Sequence, residues 1–371
     1  MYQKYEIQYI SMNGNDLEFV TIFVIIFFLF LIGLRKKVEC SNNKIYGIDL
    51  PLSTALKGIA CVLILMGHFV NLRMGAGIKQ TLFSRLIYFT TANIALTIFM
   101  YFSGYGLSVK KLCGGGISNI CIKRLKKVYF PLLVTCIVTM LIYATLPIKF
   151  SSEEIALLRI PKDIELLHDF TPANLFILLP HLFGWRDWYV CCIIIFYLMF
   201  YLSQYLSLDK SINQTWLLWL MFIGYFVLAY FYFGPSEAHW YRYCWAFFLG
   251  HVHAKVVKTN KIERGDIIML ALLLSTMIIE SRFMIISYLM AIIILTVCIE
   301  INRKYEMDSR ILAYMGSISF FFYLSHIRIG YIFVSYLNFY SVIFWIFLAQ
   351  GGLSVADGCR CLTKELDMIA C

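Results

Sequence analysis

Long apolar runs, separated by short charged segments, dominate the sequence and restrict the folds open to it. Hydrophobic residues make up 61% of the 371 residues, and charged residues only 15%. A water-soluble domain cannot bury so large an apolar fraction, whereas helices that satisfy their own backbone hydrogen bonds are stable in lipid. The runs are continuous and do not alternate in polarity, which argues against a β-barrel. We therefore predict an all-α, polytopic integral membrane helical bundle.

About eleven of these runs approach the roughly 20 residues that a helix needs to cross a bilayer, which predicts about 10–11 transmembrane helices. Their approximate bounds are Leu17–Leu34, Leu52–Leu72, Leu82–Val109, Val128–Leu146, Trp188–Leu206, Trp216–Phe233, Tyr241–Val256, Ile267–Ile279, Phe283–Ile299, Ile311–Ile327 and Tyr331–Gln350. We interpret residues 1–371 as a single membrane-embedded domain. The first run lacks a basic leader and a small-residue cleavage site, so we expect no cleaved signal peptide.

Basic residues in the connecting segments predict the orientation of the bundle. If the N-terminus lies outside, successive basic clusters all fall in the cytoplasm; they include Arg35–Lys37, Lys123–Lys127, Lys255–Arg264 and Arg303–Arg310. We therefore expect a multi-pass plasma-membrane protein with its N-terminus outside and its C-terminus in the cytoplasm. The net charge of +10 then reflects the positive-inside pattern, and we expect no nucleic-acid partner. The longest outer segment, Pro147–Asp187, fits either an ordered lid or a solvated connector.

Cysteine and histidine spacing gives no sign of a metal site. The 12 cysteines are scattered, and none lies at zinc-ligand spacing beside histidines, so we expect reduced thiols and no metal. His251 and His253 lie two positions apart and point to different sides of a helix, so they cannot share one metal ion. We interpret both as interfacial side chains that extend toward the membrane surface.

Two ionisable side chains, Lys57 and His68, interrupt the apolar run Leu52–Leu72. A charge in the middle of a membrane helix costs about 2.5 kcal/mol or more, so such a residue indicates a function. They are eleven positions apart, which approaches three helical turns, so both side chains point to nearly the same face, about 16 Å apart along the helix. Each also has a structural interpretation: an interfacial lysine that reaches the membrane surface, and a histidine that packs between helices.

The same segment resembles a known family. Leu56-Lys57-Gly58-Ile59-Ala60, followed by Gly67-His68, is similar to the first-span motif of the integral-membrane acyltransferase-3 family, whose members O-acylate carbohydrates. The family motif is a basic residue, ten intervening positions and a histidine. The basic residue is usually arginine, and the lysine found here keeps the charge but loses the forked geometry that grips phosphate.

Four further segments resemble family motifs in the family's order. They are Phe99–Tyr105, which contains Ser103; Arg124–Pro131, which contains Lys127; Asp187–Val190; and Ser317–His326, which contains Tyr323. Taken alone, the first also fits small-residue helix packing, and the second fits the positive-inside pattern. The resemblance covers about residues 52–326. The extra helix near residues 17–34 and a C-terminal tail without the family's closing Glu-x-Pro depart from the pattern.

The resemblance implies an enzyme that moves an acyl group, with acetyl expected, from cytoplasmic acyl-CoA to a carbohydrate hydroxyl on the outer or lipid-linked side. It implies that His68, His326, Ser103 and Tyr323 are catalytic, and that Lys57, Arg124 and Lys127 hold the coenzyme A phosphates. Direct transfer and a covalent acyl-histidine or acyl-serine intermediate both fit the sequence. His68 and His326 also fall at similar predicted depth, near the outer ends of their spans.

A different class of protein also fits these residues. A transporter or flippase of a glycan precursor would use the same buried polar groups as a path without acyl-transfer chemistry. Repeated halves and broken spans, which many transporters have, are not evident in the sequence. Membrane lipid is the expected surrounding partner, and the sequence leaves the acyl group, the glycan and the oligomeric state open.

Overall fold

A computed structural model describes residues 14–37, 47–75, 81–109, 122, 125–132, 134–135, 188–208, 213–280 and 284–326. The described chain is helical almost throughout and forms two compact units. The first unit takes its described residues from Met1–Lys37, Leu50–Ala95 and Tyr305–Cys371, and the second from Val38–Asp49 and Leu96–Lys304. The predicted all-α membrane bundle is confirmed as a fold class.

The first unit is built on a long helix that carries Lys57 and His68. Its elements are α1 (Gly14–Ile32), β1 (Leu34–Lys36), α2 (Leu50–Gly75), the first half of α3 (Leu82–Val109), β2 (Tyr305–Met307) and α9 (Arg310–Ser317). Helix α2 packs extensively against α9 and also contacts α1. The two strands pair antiparallel with Leu34 opposite Met307, and an ion pair of 2.8 Å joins Arg35 to Asp308 beside them.

The second unit contains the rest of α3 and five further α-helices. These are α4 (Trp188–Leu208), α5 (Gln214–Phe233), α6 (Cys244–Thr259), α7 (Arg264–Glu280) and α8 (Met284–Lys304), with a short 3₁₀ helix at Pro235–Trp240. Residues 125–132 are also helical. Helices α7 and α8, which three residues separate in the sequence, contact each other.

Side chains at the helix ends explain several of the boundaries. Asn213 precedes α5 and accepts a hydrogen bond of 2.8 Å from the backbone N–H of Thr215, which satisfies a donor of the first turn. Gly234 ends the same helix at φ 70°, in the left-handed region that favours glycine after a helix. Thr81 and Ser84 exchange side chain-to-backbone hydrogen bonds of 3.0 Å at the start of α3.

Five described helices are long and apolar enough to cross a membrane. These spans are Leu50–Asn71, Leu82–Val109, Trp188–Ser207, Gln214–Phe233 and Ile285–Lys304. The exposed side chains of α5 include Leu228 and Phe231, at 72% and 81% exposure, while Leu218 and Phe222 on its other face are fully buried. A helix that is apolar on both faces suits lipid on one side and protein on the other. The predicted span Tyr331–Gln350 and the connector Pro147–Asp187 lie outside the described residues, as does most of Val128–Leu146.

The prediction of one continuous helix was wrong for one span. The sequence predicts a single helix over Ile311–Ile327, but α9 ends at Ser317, Ile318 forms a turn, and residues 319–326 are helical again. The hydroxyl of Ser317 donates to the carbonyl of Tyr314 at 2.7 Å, a local bond that competes with the helical pattern. Hydropathy alone does not detect such an interruption, because the apolar character continues through it.

Candidate active site

Two histidines from distant parts of the sequence meet in the first unit. The rings of His68 on α2 and His326 in the 319–326 helix lie 4.9 Å apart between centroids, with their planes tilted by 56°. His326 is fully buried and His68 is half-buried. The contact answers a question that the predicted depths left open, namely whether the two side chains face each other.

A backbone carbonyl orients the ring of His326. Its Nδ1 lies within hydrogen-bond distance of the carbonyl oxygen of Tyr323, three positions earlier in the same helix. A carbonyl oxygen only accepts, so Nδ1 carries the proton and donates it to this bond. In the neutral ring the lone pair is then on Nε2, the nitrogen that is able to act as a base. The ring of Phe322 stacks parallel to His326 at 6.2 Å, and that of Tyr323 lies at 5.6 Å.

Two glycines allow the helices that carry these histidines to approach closely. A Cβ atom on Gly58 would lie 2.7 Å from the carbonyl oxygen of Leu312, and one on Gly316 would overlap the backbone carbonyl of Thr54. Only glycine fits at such crossings, as is common between membrane helices. In the first motif, Gly58 therefore has a packing role, in addition to the charge that Lys57 carries.

The two helical segments that cross here run parallel, and the residues in contact are always separated by the same number of positions in the sequence. Cys61 donates from its thiol to the carbonyl oxygen of Ser319 at 3.4 Å, across 258 positions of sequence. The close approach of Gly58 to Gly316 and the ring contact of His68 with His326 have the same separation in sequence. Both segments therefore advance together from the glycine crossing to the histidine pair, which agrees with the common direction that the predicted topology assigns to the two spans.

Comparison with known proteins assigns the family. A family model described as an acyltransferase domain matches residues 45–357. The chain belongs to the acyltransferase-3 family. The match extends beyond the predicted resemblance over residues 52–326 at both ends, and it begins after α1 (Gly14–Ile32). Neither the curated proteins nor the solved structures compared with the chain include a match. The protein is thus a multi-pass membrane acyltransferase.

Lys57 lies on the same unbroken helix of the acyltransferase as His68. Helix α2 runs from Leu50 to Gly75, so the predicted separation of about 16 Å along one face holds in the structure. The side chain of Lys57 is half-buried. Of the other residues assigned to coenzyme A, Lys127 is exposed in the helical stretch 125–132, and Arg124 lies outside the described residues.

The Phe99–Tyr105 motif of the acyltransferase forms a close helix crossing in the second unit. A Cβ atom on Gly104 would overlap the backbone carbonyl of Phe247, and one on Gly250 would overlap that of Tyr101. The hydroxyl of Ser103 donates to the carbonyl of Phe99 within α3 at 2.9 Å and is half-buried. Small-residue packing between α3 and α6, the structural interpretation of this motif, therefore accounts for its glycine.

His251 and His253 correct the interpretation from the sequence, because both are hydrogen-bonded to side chains of other helices. His251 is buried, with Nδ1 2.8 Å from the hydroxyl of Ser108 and Nε2 3.3 Å from that of Thr215. Ser108 donates its proton to a backbone carbonyl. Nδ1 of His251 is therefore the donor to Ser108, and Nε2 accepts from Thr215.

His253 contacts the Phe99–Tyr105 motif directly. Its Nδ1 is hydrogen-bonded to the hydroxyl of Tyr101, and its ring lies 5.2 Å from that of Tyr105. The hydroxyl of Tyr105 in turn accepts a bond of 2.9 Å from the backbone N–H of Ile48. The two tyrosines stack at 6.1 Å. The sequence carried one sign of this cluster, since Tyr101 and Tyr105 are four positions apart and share a helix face.

Proposed function

We propose that the protein transfers an acyl group, acetyl in the simplest case, from cytoplasmic acyl-CoA to a hydroxyl of a carbohydrate at the outer face of the plasma membrane. Membership of the acyltransferase-3 family supports the reaction class. The observation that carries the proposal is the contact between His68 and His326, with the ring of His326 oriented by a backbone carbonyl. Two adjacent imidazoles inside a membrane bundle suit proton transfer better than packing alone.

In the proposed reaction His68 is the general base. It takes the proton of the acceptor hydroxyl, whose oxygen bonds to the thioester carbonyl carbon. The carbon–sulfur bond then breaks, and the proton passes to the departing thiolate, so that the products are an ester and free coenzyme A. Base catalysis of this kind is worth about 10²–10⁴ in rate. His326, Ser103 and Tyr323 would position the reactants or donate hydrogen bonds to the developing oxyanion.

The proposed donor site lies at the cytoplasmic ends of the helices. Lys57, Arg124 and Lys127 would contact the phosphates of coenzyme A as charged groups. Their sequence positions fall at the cytoplasmic side in the topology with the N-terminus outside and the C-terminus inside. The distance of about 16 Å along α2 then separates the charged end of the donor from the base at His68. The pantetheine arm would span this distance between helices.

Purified protein tests the proposal directly. We expect labelled acetyl-CoA to lose its thioester in the presence of a carbohydrate acceptor, with the label recovered as an ester. His68→Ala should reduce the rate by about 10²–10⁴, whereas His239→Ala, a half-buried histidine beside Trp188 in the second unit, should not. A thioester that stays intact would contradict the proposal and favour a transporter. Acylated protein after incubation without acceptor would replace direct transfer with a covalent intermediate.

A further inference from the structure

We infer that Arg73 and Asp16 form a subsite for a neutral sugar residue of the acceptor, beyond His68 on α2. The inference rests on the proposed function, since it assigns the acceptor of that reaction. It also gives a role to α1, the helix that lies before the matched family domain and supplies Asp16. The cluster lies wholly within the first unit, where α1 and α2 are in contact.

Arg73 carries the strongest sign of a ligand site. Its side chain is only 6% exposed, and its Nε–H has no hydrogen-bond partner among the residues that the structure describes. The guanidinium lies 5.9 Å from the ring of Phe69, on the same helix. A buried donor without a partner is costly, and native proteins rarely keep one. A sugar hydroxyl is able to accept this bond.

The acceptor side of the cluster comes from α1. Asp16 is 1% exposed, and one of its carboxylate oxygens accepts a hydrogen bond of 2.8 Å from the hydroxyl of Thr81. Thr81 is itself fixed by its reciprocal bonds with Ser84 at the start of α3. A carboxylate has about four lone-pair sites, which is more than the one that the bond from Thr81 occupies. The negative charge of Asp16 acts on the Arg73 guanidinium. A guanidinium donor combined with a carboxylate acceptor matches neighbouring hydroxyls on a sugar ring, each of which both donates and accepts.

The charges near Arg73 favour a neutral ligand over an anionic one. Burial lowers the pKa of the Arg73 guanidinium, and the negative charges of Glu18 and Asp16 oppose that shift. An arginine side chain nevertheless stays protonated. Its single positive charge is therefore more than matched by two carboxylates, and an anionic sugar would meet net repulsion.

The position of Arg73 determines which sugar of the acceptor it would contact. Five residues after His68, it lies about 7.5 Å further along the helix and is turned by about 140°. The hydroxyl that reacts must lie within hydrogen-bond reach of His68. Arg73 therefore points to a different side of α2 from His68, and the subsite takes a sugar residue other than the one that is acylated, without contacting the reacting atoms.

Binding of simple glycosides to the detergent-solubilised full-length protein, without acyl-CoA, tests the subsite. The probes are neutral methyl glycosides of glucose, galactose, mannose and N-acetylglucosamine, with methyl glucuronide and methyl galacturonide as charged counterparts. Saturation-transfer NMR should show saturable binding of at least one neutral glycoside and weaker binding of the uronides. Arg73→Gln should lower the affinity for the neutral glycoside at least tenfold. The exposed Arg264→Gln is the matched control and should leave binding unchanged.

Two further variants separate the loss of the subsite from a folding defect in Arg73→Gln. Arg73→Lys keeps the charge but loses the Nε–H of the guanidinium, and Asp16→Asn removes a charge with little change in shape. Both variants should bind the neutral glycoside more weakly than the wild type. Asp16→Asn should also reduce the difference in affinity between the neutral and the charged glycosides. Tighter binding of a uronide, no saturable binding of any neutral glycoside, or unchanged affinity in the Arg73 variants would overturn the inference.

A parallel assay of thioester consumption separates this inference from the proposed function. Wild-type protein that consumes acyl-CoA while Arg73→Gln retains its glycoside affinity would overturn the subsite alone. Glycoside binding that depends on Arg73, in a protein that leaves acyl-CoA intact with every acceptor, would overturn the acyl-transfer proposal and leave a sugar-binding site.

Discussion

The close crossing of α3 and α6 gives a prediction with a built-in control. Gly104 and Gly106 lie two positions apart on α3, but their surroundings differ. A Cβ atom on Gly104 would overlap the backbone carbonyl oxygen of Phe247 and lie 2.9 Å from its carbonyl carbon, whereas a Cβ atom on Gly106 would have no heavy atom within 4 Å. We predict that Gly104→Ala destabilises the protein and that Gly106→Ala does not.

The size of the effect follows from these distances. Nine in ten real Cβ contacts are longer than 3.4 Å, so the carbonyl carbon of Phe247 alone must move by about 0.5 Å, and backbone cannot rotate away as a side chain can. Overpacking of this kind costs about 1–3 kcal/mol. Replacing glycine by alanine inside a helix contributes up to about 1 kcal/mol of stability at both positions, so it cancels in the comparison. Gly104→Ala should therefore be about 1–3 kcal/mol less stable than Gly106→Ala.

Thermal unfolding in detergent, followed by tryptophan fluorescence, measures this difference. Trp245 is buried in α6 and reports on the crossing. At about 2.1 cal/mol/K of unfolding entropy per residue, a free-energy change of 1 kcal/mol corresponds to roughly 1.3 °C for 371 residues, so the unfolding temperatures of the two variants should differ by about 1–4 °C. If Gly104→Ala unfolds at or above the temperature of Gly106→Ala, the crossing is looser than described and the packing role of the motif is refuted.

Three further predictions test single contacts. His326→Asn places an amide donor near the position of Nδ1 and should keep the bond to Tyr323, so it should be about 1 kcal/mol more stable than His326→Gln in the same unfolding assay; the reverse order would contradict the assigned tautomer. Lys57→Met should raise the KM for acyl-CoA. Lys57→Arg should lower this KM, because a guanidinium binds phosphate with two parallel hydrogen bonds and an ammonium does not. Equal KM values for the wild type and both variants in a thioester assay would remove Lys57 from the donor site. Asn213→Ala should cost about 1 kcal/mol through loss of its bond to Thr215, whereas Asn213→Asp should not; equal unfolding of the two variants would exclude the cap.

Much of the helical architecture was predictable because the signal is local. Apolar runs of the right length predicted most of the described helices, and for α3 the predicted bounds Leu82–Val109 agree with the structure. Lys57 and His68 lie on one helix, so their separation and shared face followed from helical geometry alone. In such cases the residues of a helix themselves determine where it begins and ends and which side chains share a face.

Contacts between distant segments were not predictable in the same way. His68 and His326 were placed at similar depth, but their ring contact depends on the crossing at Gly58 and Gly316, which no local pattern reveals. His251 was assigned wrongly for the same reason. Its partners Ser108 and Thr215 lie on other helices, and a histidine five residues before the end of the predicted span Tyr241–Val256 looks interfacial until they are known.

The double-mutant cycle of His68→Ala and His326→Ala tests the central claim most directly. Rates of thioester consumption by the purified wild type, both single variants and the double variant give the coupling between the two rings. If the pair acts as one unit, each single variant should lose about 10²–10⁴ in rate, and the double variant should be little slower than the worse single one. Losses that simply multiply, or parental activity in either single variant, would contradict a joint site of acyl transfer.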